Sequence, residues 1–160
     1  MGVAWPNKRV NLMHSSTLLY EDLLGDLPAT TREAFQAIEV VKSYPASAQL
    51  FVIDQGASGI FVIHAGSVSL SESPREENLP ISRKAGQGEI LGLPATLSGN
   101  CHQAKAETLE ASDIGFIDRE DLLYFLHGHA AAAFRLVQLL SHTVDAALEF
   151  AHLLPPAEEV

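Results

Sequence analysis

The residues able to do chemistry are few and dispersed. Cys101 stands beside His102, the pairing a thiolate nucleophile and its base would need. In an extended segment adjacent side chains point to opposite faces, so the two cannot share a proton, and the cysteine reads as a small residue at a loop edge. Of the seven histidines, only His127-Gly128-His129 brings two close together. A metal needs three or four convergent donors, and no third ligand stands at a suitable spacing. At a junction between helices, the two rings are expected to cap the carbonyls of the preceding helix instead. A metal-dependent cupin enzyme would need a strand with two histidines and a nearby Glu, whereas the strand here offers only His64. The sequence holds no G-x-S-x-G elbow, phosphate-binding P-loop or H-E-x-x-H motif. Asp118-Arg119-Glu120-Asp121 reads as the opening of a helix, with acids near the positive end of its dipole. No catalytic residue, metal site or cofactor is therefore expected.

The elements follow from periodicity. At 160 residues the chain is long enough to bury a core without disulfides, and it reads as an arm at 1–14 followed by one domain at 15–160. Residues 15–38 are helical: Leu18, Leu19, Leu23, Leu24 and Leu27 recur at helical spacing until Pro28, and a second helix carrying Phe35 and Ile38 starts with Thr30 or Thr31 as its N-cap. Trp5 anchors the arm by packing. Residues 39–118 are short β-branched or aromatic runs between glycines, prolines and serines. Strands are expected at Val40–Tyr44, Gln49–Ile53, Gly59–His64, Ser67–Ser71, Leu79–Lys84, Glu89–Leu91, Gln103–Thr108 and Asp113–Ile117, with an exposed hairpin tip over Glu72–Asn78. Residues 119–154 return to helix, first a short one capped by Asp118 and ending near Gly128, then a long one from about Ala130.

That long helix has two apolar stripes. Ala133, Val137, Leu140, Val144, Ala147, Ala151 and Leu154 step alternately by four and three, the seam of a two-helix coiled coil. Leu136, Leu139, Thr143, Ala146 and Phe150 form the other. One stripe can pack on the chain's own strands, so the seam is expected to bury against a second copy and make a homodimer. The formal charge of −10 disfavours nucleic acid as a partner of this chain, because phosphate binding is driven by Lys and Arg. The N-terminal residues lack a signal-peptide core and no apolar run is long enough to span a bilayer, which points to the cytoplasm.

Helices, a glycine-punctuated β-region and a seam-bearing helix, in this order, resemble the effector domain of the Crp/Fnr regulators. The residues that carry the likeness are Gln55-Gly56, Gly59 to Val68, Gly88-Glu89-Ile90-Leu91-Gly92-Leu93-Pro94-Ala95-Thr96-Leu97-Ser98-Gly99 and Phe116 to Leu123. The resemblance implies an α+β fold: an antiparallel β-roll or jelly roll of the cyclic-nucleotide-binding type, a double-stranded β-helix, with N-terminal helices and a long C-terminal dimerisation helix. It implies a sensory or regulatory module, with a phosphate-binding cassette over Gly88–Lys105. Such a cassette uses backbone N–H groups at a glycine turn leading into a short helix, which Gly92, Leu93, Pro94, Ala95 and Thr96 could supply.

The chemistry departs from the nucleotide-binding pattern. The family's Gly-Glu, whose acid takes the ribose hydroxyl, is here Gly92-Leu93, and the Arg that pairs with the cyclic phosphate would fall at His102 or Gln103. Taking Gly88-Glu89 as the pair moves the Arg position to about Gly99, again without a cation. The nearest cation is Lys105, and losing the bidentate Arg removes about 1.5–3 kcal/mol of charge-assisted bonding. A cation-free hollow is thus expected, lined by Ile90, Leu93, Ala95, His102, Gln103 and Thr143, with degenerate or altered specificity for a small-molecule effector. A ligand-free interaction scaffold is the alternative, and it would fill the hollow with its own side chains. The family's helix-turn-helix has no counterpart in the sequence, so no DNA binding is expected of this chain alone, and the absence of N-terminal cysteines argues against an iron–sulfur cluster.

Overall fold

The computed structural model describes residues 18–72 and 82–152, with 142–152 as backbone only. Two short helices, α1 (Tyr20–Leu24) and α2 (Ala29–Ala37), lead into β1 (Val40–Tyr44), β2 (Gln49–Phe51), β3 (Gly59–Ala65), β4 (Val68–Glu72), β5 (Ser82–Ala85) and β6 (Ile90–Leu91). Helix α3 (Leu93–Ser98) follows, then β7 (Ala104–Thr108), β8 (Ser112–Asp118), α4 (Arg119–Gly128) and α5 (Ala130–His152). The strands form two antiparallel four-stranded sheets, ordered β1-β8-β3-β6 and β2-β7-β4-β5. This is the expected β-roll flanked by helices. The proposed hairpin tip lies almost wholly outside the described residues, as do Trp5 and the arm.

Alternation along the strands builds two cores. In β3, Phe61 and Ile63 meet Phe51, Val68, Leu70, Ala106 and Ile114 between the sheets. Its Ile60 and Val62 face the other way, onto Leu23, Leu24, Phe35, Leu122, Phe125 and Leu136 of the helices. An apolar strand buried on both faces is what two such cores require of the same run of residues. Beneath the helices Phe35 stands edge-on to Phe125, with ring centroids 5.3 Å apart.

Among α1 to α4, only α4 is closed at its N-terminus by a side-chain cap. Asp118 caps α4, accepting from the Glu120 amide at 2.9 Å. At its other end the rings of His127 and His129 bond the carbonyls of Leu123 and Phe125, each through Nδ1 at 2.9 Å, the capping role expected of them. At α2 the N-cap position is taken by Pro28 rather than by Thr30 or Thr31. The proline holds φ at −57° and starts the helix early enough to bury Thr31.

Along α5, Ala132 and Leu136 are buried, and Leu139 and Leu140 pack against the same core, whereas Val137 is 57% exposed. The expected seam therefore divides at its start: Leu140 leans on its own chain and Val137 faces outward. The side chains of Val144, Ala147 and Ala151, and all of Leu154, lie outside the described residues.

Candidate functional site

A cavity of 410 Å³ opens beside α3, between β5, β6 and the segment that enters β7. Its floor is apolar and buried, formed by Leu18, Phe51, Leu70, Ile90, Leu91 and Leu93. Pro94, Ser98, Asn100, Cys101 and Gln103 make an exposed rim. Gly92 starts α3 from the left-handed region at φ +83°, and a Cβ there would come within 3.1 Å of the His102 ring. Only glycine tolerates both demands without strain.

His102 is held from both sides. Its amide donates to the Gln55 carbonyl at 2.9 Å, and its own carbonyl accepts from the Asp54 amide at 2.9 Å. The ring is 4% exposed and stacks on Phe51 with centroids 3.8 Å apart. Burial pushes its pKa below that of an ordinary histidine, so the imidazole is neutral at pH 7. Cys101, its neighbour, is exposed, which agrees with the opposite-face reading of the pair.

The expectation of a cation-free hollow is corrected. Arg83, on β5, lines the cavity from the opposite sheet. It pairs there with Glu89, guanidinium nitrogen to carboxylate oxygen 3.0 Å, the two side chains only 14% and 13% exposed. The other Glu89 oxygen accepts from the Gly86 amide at 2.9 Å. The signal was present in the strand pattern: Ala85 is buried, Arg83 shares its parity, and Leu70 opposite Arg83 is buried. Arg83 lies before the Gly88–Lys105 cassette, on the strand Ser82–Ala85. Lys105, by contrast, turns to Glu107 at 3.3 Å and does not line the cavity.

The other site residues divide. Gly92, Leu93, Pro94, Ala95, His102 and Gln103 all line the cavity. Thr96 does not: it is fully buried and its hydroxyl donates to the Gly59 carbonyl at 2.9 Å, fastening α3 to β3. Thr143 has its side chain outside the described residues. Among the described residues no three His, Cys, Asp or Glu side chains gather in a way that could hold a metal, and no helix is long and apolar enough to cross a membrane.

The family model for the cyclic nucleotide-binding domain matches residues 41–129, which takes in the strands from β1 on, α3, α4 and every cavity-lining residue but Leu18. The chain belongs to the cyclic nucleotide-binding domain family. Solved structures similar to this domain include the Thermus thermophilus catabolite activator protein, at 21% identity and a TM-score of 0.73, over 82% of this chain and 62% of that one. The sensor domain of the transcriptional regulator DNR from Pseudomonas aeruginosa is similar at 15% identity and a TM-score of 0.68, over 89% of this chain and 94% of that one. The N-terminal domain of a Streptomyces coelicolor transcriptional regulator is similar at 15% identity and a TM-score of 0.67, over 78% and 89%. The chain thus spans less than two thirds of the catabolite activator protein and nearly all of the sensor domain. No curated protein sequence matches it significantly. These likenesses establish the roll that the resemblance implied.

Proposed function

We propose that this cyclic nucleotide-binding domain is the ligand-sensing module of a regulator, non-enzymatic and cytoplasmic, with its specificity altered away from cyclic nucleotides. The observation that carries the reading is the open cavity at the cassette, with Leu93 and His102 where the resemblance would put the ribose acid and the phosphate arginine. A hollow of this size lies within the range of small-molecule sites. It argues against a scaffold whose roll has closed on itself. Arg83 does not restore a phosphate site, because Glu89 already neutralises it. Calorimetric titration of the chain with cyclic AMP and cyclic GMP is expected to give no binding at micromolar concentrations; micromolar affinity would overturn the altered specificity.

The effector's action would pass from the cavity to α5 and to a second copy of the chain paired along it. For that, the ligand must bind one arrangement of α5 better than the other. Hydrogen exchange over Val137–Leu154 is expected to change when a ligand occupies the cavity, and unchanged exchange with a ligand bound would remove the mechanism. With a charge of −10 the chain alone is not expected to bind duplex DNA above background, which fluorescence anisotropy at low salt measures.

A further inference from the structure

The polar groups of the cavity narrow the chemistry of what it binds, and this step rests on the cavity being a ligand site. His102 is 4% exposed and lines the cavity, yet neither ring nitrogen meets a hydrogen-bond partner among the described residues. The ring nitrogens are thus left for a group that enters the cavity. A neutral imidazole offers one donor and one acceptor, the complement of a hydroxyl, or of a carbonyl through the donor alone.

Charge balance excludes strong anions. The Arg83 guanidinium is compensated by Glu89 at 3.0 Å. An entering phosphate or carboxylate would shed its water without meeting an uncompensated cation among the described residues. The floor is apolar, with the Phe51 ring stacked against His102, while Ser98, Asn100 and Gln103 at the rim are polar and uncharged.

We infer that the cavity binds an uncharged ligand with an apolar ring body and a hydroxyl or carbonyl group, the polar group bonding the His102 ring. Three probes of graded charge test this by calorimetric titration of the whole chain at pH 7.5: 2-naphthol, 2-naphthoate and cyclic AMP. The expected result is saturable binding of 2-naphthol, at least tenfold tighter than 2-naphthoate, with none for cyclic AMP. In the His102→Phe variant, which keeps the stack on Phe51, 2-naphthol affinity should fall at least tenfold. Tighter or equal binding of 2-naphthoate or cyclic AMP to the unaltered chain, a measurement independent of how the variant folds, overturns the uncharged ligand and leaves a sensing cavity standing. Unchanged 2-naphthol affinity in a folded His102→Phe chain also overturns the inference. Failure of all three probes to bind saturably overturns both it and the ligand-sensing reading.

Discussion

His102 and the Arg83–Glu89 pair set the behaviour of the cavity residue by residue. Because burial lowers the pKa of His102, the unfolded chain takes up its proton near pH 6.5 while the folded chain does not. Its contribution to stability is therefore full above that pH and shrinks as the pH falls through 6.5 toward the lower folded value. The difference in unfolding free energy between the unaltered chain and His102→Phe, measured by urea titration from pH 7.5 to 5, should shift in favour of the variant on acidification. A pH-independent difference would show that the imidazole is not held neutral. The ion pair is a separate matter: Arg83→Met strands a buried Glu89 and should cost about 3 kcal/mol, whereas replacing both residues by apolar ones of similar volume should recover most of it. Equal losses in the single and double variants would deny that the pair is coupled.

The element that frames the cavity is α3, six residues long and entered and left through left-handed glycines, Gly92 and Gly99. So short a helix has little stability of its own, and two long-range bonds hold it. Thr96 donates to Gly59 on β3, and the Arg119 Nε donates to the Thr96 carbonyl at 2.6 Å, tying α3 to the first residue of α4. Arg119→Met is expected to cost about 1–3 kcal/mol and to speed amide exchange in α3 while leaving the β3–β8 amides protected. Uniform exchange across α3 in both proteins would remove Arg119 from this role. Neither bond was legible in the sequence, since each joins residues distant along the chain. Thr96 was placed in the cassette as part of its backbone turn, and only the fold shows its hydroxyl turned inward. The strands themselves were legible. In β4 the serines alternate with Val68 and Leu70, and β3 packs two cores with one run, patterns that local sequence carries in full. Arg83 was half legible. Its parity with Ala85 marked it as inward, but placing it at the cassette required the pairing of β5 with β4.

At the scale of the molecule, the question is what covers the outer face of α5. Ala132 and Leu136 face the chain's own core, with Leu139 and Leu140 at its margin, while Phe134 is 64% and Val137 57% exposed, one helical turn apart. Burying two such side chains contributes about 3–6 kcal/mol, at most the low end of the roughly 4–15 kcal/mol that association costs in lost freedom. A dimer built on this helix must therefore draw on the rest of the seam, through Val144, Ala147, Ala151 and Leu154. This separates a true seam from an incidental patch. If the seam runs the length of α5, Val137→Glu combined with Val144→Glu should convert a sedimenting dimer to a monomer, with far-UV ellipticity unchanged because the inward stripe is untouched. An unaltered chain that sediments as a monomer at micromolar concentration would leave α5 reporting on the cavity within one chain alone, and would remove self-pairing from the mechanism.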